Sequence, residues 1–278
     1  MNRFTIVIPT RGSGQAPYLE HTLQSLFLQN SSQWRALIVD GGEVPLQLPD
    51  DARLSVLRLG SRRGLAVALN QAMRQLETPF LAMLHDDDLL VPEAVAVLSE
   101  ALANHPEADY FYSSRRFIDD QGRFLSDVYS CPPHVTPADF VDSCPVKHWH
   151  CWRVAAALEL GGVDEDVQLH GGDDYDFPWR MCETGFKFQP VPQCLYHQRD
   201  HRRAERLTTD VPLDSQLDIL RRIFRKHGLS ESQIEQQLQR RQAGYLQQAL
   251  FQDDRDRQEK TRQGFDRKQG WRELPLPS

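Results

Sequence analysis

No stretch of the 278 residues approaches the roughly 20 consecutive apolar positions that a membrane-spanning helix needs. A transmembrane segment is therefore not expected, while peripheral membrane contact stays open. Met1 to Phe4 run straight into strand-like sequence rather than into a signal-peptide core. Cysteine is sparse and odd in number: Cys131, Cys144, Cys151, Cys182 and Cys194 fit a reducing compartment better than a disulfide framework, so a cytoplasmic location is expected. Positive charge is in deficit, with 32 Lys and Arg against 39 Asp and Glu and a net charge of -7, and the footprint of a general nucleic-acid binder is missing. Also absent are a P-loop, a Gly-x-Gly-x-x-Gly turn, a Gly-x-Ser-x-Gly elbow and any internal repeat. What remains, 40% hydrophobic and 26% charged residues, is ordinary globular composition.

The first half alternates strands and helices. Phe4–Pro9, Ala36–Val39, Leu54–Leu59, Phe80–Leu84 and Tyr110–Tyr112 are short apolar runs of the kind a doubly covered strand gives. Between them, Leu19, Leu23, Leu26 and Phe27 recur at helical spacing, and helices are expected from Gly64 to Leu76 and from Pro92 to Asn104. Such alternation implies a largely parallel sheet covered on both faces, with ligands bound beyond the carboxyl ends of its strands. Thr10-Arg11, Asp40-Gly41-Gly42 and His85-Asp86-Asp87-Asp88 fall at those ends. Later, a hairpin is expected at Gln121-Gly122, helices over Trp152–Leu160 and Asp173–Glu183, and a strand over Phe186–Val191.

Acidic residues bunch at Asp86–Asp88 and at Asp173, Asp174 and Asp176. Three adjacent carboxylates after a buried strand repel one another unless a cation offsets them, and Mg²⁺ or Mn²⁺ would do so with water and phosphate completing the shell. The alternative is a solvated turn that caps the next helix. The second cluster opens a helix, where the dipole favours carboxylates in any case. Adjacent residues do not share a helix face, so one of Asp173 and Asp174 can point into a site while the other caps or pairs with Arg180.

TIVIPT at 5–10, the SLxxQ pattern within Leu23–Gln29, Ile38–Gly42, Gly64-Leu65-Ala66 with Asn70, and LHDDDLLVP at 84–92 resemble family 2 glycosyltransferases of the GT-A fold. GGVDED at 161–166, GDDYDFPWRMCETGFKF at 172–188 and Tyr196–His201 resemble that family's acceptor-side motifs, so the likeness runs from residue 4 to about 203. It implies an α/β fold with a mixed, mainly parallel sheet, and transfer of a sugar from a nucleotide-diphosphate donor, a UDP-sugar favoured, to a hydroxyl of a glycan or lipid-linked acceptor with inversion. Polysaccharide or glycan assembly is the implied setting. By the same resemblance Asp174, with Asp173 beside it, is the catalytic position. Thr10, Arg11, Asp40, Arg63, Asn70, Asp86 and Asp87 line the nucleotide-sugar pocket, and Asp87, Asp88 and His201 hold Mn²⁺ or Mg²⁺. His85 and Gly41 stand where the family commonly has acids, which keeps a non-catalytic nucleotide-sugar-binding or scaffold protein as the alternative.

His148, Trp149, His150 and Trp152 offer aromatic faces for an acceptor sugar, or else belong to the core. Zinc at Cys144, His148, His150 and Cys151 is disfavoured by the spacing. Arg199, Arg202 and Arg203 either cover a diphosphate or form a solvated loop. The domain is expected to occupy residues 1–205. A helical extension should follow over 206–278, with a Leu213-Leu217-Leu220-Phe224 stripe, a Ser230–Gln233 capping box and a charged, solvated tail. Its apolar stripe calls for packing against the domain, a partner or a second copy.

Overall fold

The computed structural model describes residues 3–146, 148–167, 172–201 and 212–252, with side chains left undescribed at 172, 173 and 243–252. In chain order the elements are β1 (Phe4–Thr10), α1 (Leu19–Phe27), β2 (Ala36–Asp40), β3 (Leu54–Arg58), α2 (Leu65–Met73), β4 (Phe80–Met83), β5 (Leu89–Leu90), α3 (Ala94–Asn104), β6 (Tyr110–Ile118), α4 (Asp139–Asp142), β7 (His150–Arg153), α5 (Val154–Glu159), a π-helical turn (Gly172–Asp176), α6 (Phe177–Glu183), β8 (Phe188–Arg199), α7 (Leu213–Lys226) and α8 (Glu231–Gln252). Among the described residues the strands form one sheet in the order β3-β2-β1-β4-β7-β6-β8-β5. β3, β2, β1 and β4 run parallel, β7 is antiparallel to β4 and β6, β6 and β8 are parallel, and β5 is antiparallel to β8.

The sheet is covered on both faces because alternate residues of each central strand enter different cores. Phe4, Ile6, Ile8 and Ile38 pack with Leu19, Leu23, Leu98 and Leu102 from α1 and α3. Val7, Leu37 and Val39 turn the other way, toward α2, α5, α6 and the two C-terminal helices.

The extension joins that second core. Ile219, Ile223, Phe224, Ile234 and Leu238 are buried among Tyr175, Phe177 and Trp179, and Leu217 and Leu220 pack partly against them. At ~1.5–3 kcal/mol for each fully buried large apolar side chain, this stripe is a substantial share of the fold's stability. The Ser230–Gln233 capping box forms, with the Ser230 N–H donating to Gln233 Oε1 at 2.9 Å and the Gln233 N–H to Ser230 Oγ at 3.4 Å. The boundary expected near residue 205 and the charged tail beyond 252 lie outside the described residues.

Two expected elements differ. Trp152 and Arg153 belong to β7, and the helix expected from Trp152 starts only at Val154, because the Trp152 ring is held in the sheet's core beside Tyr110 and Phe177. The helix expected from Asp173 begins as a π turn, and α6 proper starts at Phe177. The strands at Tyr110 and Phe186 also run further, to Ile118 and Arg199, since they pair with each other along nearly their whole length.

Candidate active site

β1, β2 and β4 point their carboxyl ends to one edge, and the expected polar residues gather there. The Thr10 hydroxyl accepts the Gly12 N–H at 3.3 Å and also hydrogen-bonds Asp86. Asp40, fully buried, accepts the Gly42 N–H at 2.8 Å and lies 3.6 Å from Arg58 Nε. The two loops touch closely: a Cβ on Gly12, whose φ is +95°, would stand 2.3 Å from Gly42 Cα, so only glycine fits. Arg11 is half-buried with its charge facing Asp86, and Arg63 is exposed on the loop after β3.

Asn70 is a correction. Its amide donates to Val163 O at 2.8 Å and Glu165 Oε1 at 2.9 Å, and its oxygen accepts the Val163 N–H at 2.9 Å. These bonds tie α2 to the Gly161–Val163 turn and leave the side chain committed to the scaffold rather than to a ligand.

The three aspartates after β4 divide by role. Asp88 is buried, with Oδ1 accepting the Arg199 N–H and Oδ2 accepting the Tyr196 hydroxyl, each at 2.6 Å. It is therefore a structural brace, not the metal ligand expected. Asp87 stays one-third exposed and reaches His201, whose Nε2 is 3.0 Å from Asp87 Oδ2, while His201 Nδ1 is buried without a hydrogen-bond partner. Burial and the Asp87 charge push Asp86 up to about 6, and the same two causes move Asp88 upward.

Arg199, expected near a diphosphate, is buried beneath this loop instead. Its guanidinium donates to Asp87 O at 2.8 Å and to Asp119 O at 2.9 Å and lies over the Tyr18 ring at 4.5 Å. Arg202 and Arg203 lie outside the described residues.

Asp174 sits in the π turn with its side chain 48% exposed. Its carbonyl accepts the Cys144 thiol at 2.7 Å, and its Oδ2 is 4.0 Å from His148 Nε2. The Asp173 side chain is outside the described residues. Among the described side chains Arg180 pairs with Asp176, at 2.8 Å.

His148 is buried, stacked on His150 at 4.3 Å and Tyr196 at 5.3 Å, with the edge of His85 at 5.1 Å. Trp149 packs edge-on against Phe4 in the core, and His150 lies against Tyr110. The acceptor floor expected from His148, Trp149 and His150 is thus an interior feature: a face already covered by Phe4 or Tyr110 does not also stack on a sugar. Among the described residues, no three His, Cys, Asp or Glu side chains form a ready metal cage, Cys144, His148, His150 and Cys151 included.

Sequence inspection missed Arg115. Burial pushes its pKa down while Asp174 and Asp88 oppose that shift, so a cation lies within electrostatic reach of both acidic clusters. The signal was there in Ser113-Ser114-Arg115-Arg116, a polar stretch inside a strand that is otherwise apolar.

What a metal would need fits the Asp87–His201 pair. A carboxylate oxygen and an imidazole nitrogen converge from different elements, and Mn²⁺ or Mg²⁺ needs no more protein ligands than this when water and phosphate oxygens fill the remaining positions.

Comparison with known proteins agrees with this architecture. Residues 5–137 match the model of glycosyl transferase family 2. The O-antigen biosynthesis protein RfbC of Myxococcus xanthus is 25% identical over 209 residues, covering 72% of this chain. The chain spans only 16% of that relative's length, and 20% of an uncharacterised Sinorhizobium fredii protein that also matches. Among solved structures, S. aureus TarS 1-349 in complex with UDP-GlcNAc superposes with a TM-score of 0.61 at 17% identity, over 85% of this chain and 70% of that one. The mannosyltransferase PcManGT from Pyrobaculum calidifontis, in complex with GDP-Man and Mn²⁺, superposes at 0.56 and 18% identity, over 85% and 68%. The expected GT-A fold, with its mixed and mainly parallel sheet, is the fold observed.

Proposed function

We propose, from the match of residues 5–137 to the model of glycosyl transferase family 2, that this chain is a glycosyltransferase of that family and transfers a sugar from a nucleotide-diphosphate donor to an acceptor hydroxyl, with inversion and with a divalent metal. His148 carries the reading: its Nε2 lies 4.0 Å from Asp174 Oδ2 and its ring 5.1 Å from that of His85, which precedes Asp86, so the loop after β4 and the turn of Asp174 meet across a single ring.

In this reading the donor lies along the strand edge formed by Thr10, Arg11, Asp40 and Asp86, with Arg63 reaching in from its exposed loop. Asp87 and His201 would hold Mn²⁺ or Mg²⁺, which supplies Lewis-acid stabilisation of the charge that develops on the departing diphosphate. Asp174, exposed and carboxylate-bearing, takes the proton of the acceptor hydroxyl as the new C–O bond forms and the bond to the diphosphate breaks on the opposite face. Arg115 holds positive charge within electrostatic reach of Asp174 and of Asp88 in the aspartate loop. A UDP-sugar is the favoured donor because TarS is solved with UDP-GlcNAc, and a glycan or lipid-linked acceptor of surface polysaccharide is favoured by the O-antigen relative. Work at the cytoplasmic face belongs to the same proposal. No helix among the described residues is long and apolar enough to cross a membrane.

The test is a panel of nucleotide sugars, read by thermal shift with and without Mn²⁺ and then by product. Slow release of nucleoside diphosphate is the expected result. Donor binding without turnover would instead establish a non-catalytic binding protein, and pyrophosphate release a nucleotidyltransferase.

A further inference from the structure

The turn that carries Asp174 is not held by its own domain segment alone. Asp176, two residues on, is fully buried, and its carboxylate gathers three partners: Arg180 Nε at 2.8 Å, Lys226 Nζ at 3.0 Å and His227 Nε2 at 3.2 Å. Two of the three come from the C-terminal end of α7. Burial pushes this carboxyl upward, yet His227, Arg180 and Lys226 outweigh it and hold the group below the ordinary carboxylate range. His227 is fixed in turn, its ring stacked 3.9 Å from Trp179 and its Nδ1 2.8 Å from Glu183.

The extension reaches the same turn from two further sides. Tyr175, between Asp174 and Asp176, donates its hydroxyl to Phe140 O, packs edge-on to Phe224 of α7, and accepts Arg241 Nη2 of α8 at 3.2 Å. Asp142 accepts Gln237 Nε2 of α8 at 2.8 Å and Arg240 at 3.1 Å, and two residues later Cys144 donates its thiol to the Asp174 carbonyl. Tyr175 and Asp176, which follow Asp174 in the turn, are thus held on α7 and α8, and Asp142, two residues before the Cys144 that donates to the Asp174 carbonyl, is held on α8, although the described contacts of Asp174 itself involve neither helix.

From this we infer that the α7–α8 hairpin is part of the catalytic apparatus, with Lys226 and His227 as positioning residues that set the aim of Asp174. The inference rests on Asp174 being the base of the proposed reaction. A buried carboxylate that loses two of its three partners turns toward water, because an uncompensated charge in the interior is costly. Turning Asp176 outward unwinds the π turn and displaces Asp174, and a misplacement of ~1 Å costs roughly 10²-fold in rate.

The experiment uses the full chain with His227→Phe, which keeps a ring on Trp179, with Lys226→Met, and with Lys226→Arg as the conservative rescue. Three measurements are made: UDP release from UDP-GlcNAc with Mn²⁺, affinity for UDP with Mn²⁺ by calorimetry, and amide hydrogen exchange at 174–177 against that of β1. The expected result is a roughly 10²-fold fall in kcat for His227→Phe and Lys226→Met, with KM and UDP affinity held within about twofold. Exchange should quicken at 174–177 alone, and Lys226→Arg should restore both. Wild-type kcat with only a lowered melting temperature, or equal loss of UDP affinity, overturns the inference. If the wild type releases no UDP from this donor, the proposed reaction is at fault, in its donor when UDP-GlcNAc does not bind and in its catalysis when it binds without turnover. Exchange then decides alone, quickening at 174–177 with β1 unchanged supporting the hairpin's role and unaltered exchange refuting it. Should His227→Phe fail to fold, the two Lys226 variants carry the test.

Discussion

His201 Nε2 lies 3.0 Å from Asp87 Oδ2 although 114 residues separate them in sequence. The first prediction follows from that pairing. Asp87→Asn or His201→Ala should abolish the stabilisation that Mn²⁺ gives to bound UDP and lower kcat by roughly 10²- to 10³-fold, the scale of one lost electrostatic stabiliser. Melting curves with UDP, with and without MnCl₂, provide the check, and an unchanged metal increment in both variants would remove these two residues from the site.

Asp174→Asn should fold like the parent, because its side chain is half exposed and its carbonyl bond to Cys144 survives the change. Transfer should fall by about 10²- to 10⁴-fold while UDP affinity holds. Retained transfer would pass the base role to another residue.

Tyr196→Phe strips a donor from buried Asp88 Oδ2 and should cost about 1–3 kcal/mol of stability by urea denaturation. Asp88→Asn should behave similarly, whereas Asp87→Asn, partly exposed, should not. This contrast separates brace from ligand within three consecutive aspartates, and equal stability losses at 87 and 88 would contradict it.

The pH dependence carries two opposite signs. Asp86, raised to about 6, and Asp88, raised by the same causes, cost the folded state nothing below the ordinary carboxylate range. Their cost grows as pH climbs through the raised values, so the loop loses stability between roughly pH 4 and 7 unless a cation is bound. The increment in melting temperature from MnCl₂ should therefore rise across that interval. Asp176, held low, works the other way: its contribution is present above about pH 4 and is lost as pH falls through its folded value. A manganese increment that stays flat with pH would count against the loop as the binding site.

Much of this was legible in the sequence because strands buried on both faces leave unbroken apolar runs, as Thr5–Ile8 and Ala36–Val39 do, and polar residues at their ends stand out. The order of acids was legible too, but not their division of labour. Nothing local tells Asp87 from Asp88, since the difference is made by Tyr196 and Arg199, more than 100 residues away. Trp149 and His150 read as a sugar platform for the same reason: an aromatic side chain looks alike in sequence whether its faces meet a ligand or Phe4 and Tyr110. Asn70 kept its family position but spends its amide on a turn at Val163 that no short-range pattern reveals. Lys226 and His227 looked like an ordinary helix end, and only the packing of α7 on Trp179 brings them to Asp176.

The short strand β5 pairs antiparallel with β8, Leu89 facing His197 and Leu90 facing Tyr196. Each step forward along β8 is thus a step back toward the aspartates, which is why Arg199 meets Asp87 and His201 follows it there. Side chains alternate in a strand, so one residue inserted or deleted between Tyr196 and His201 would swap every face beyond it. In this part of the chain the count of residues is constrained as well as their identity: a single-codon insertion would part His201 from Asp87 and turn Arg199 out from beneath the loop.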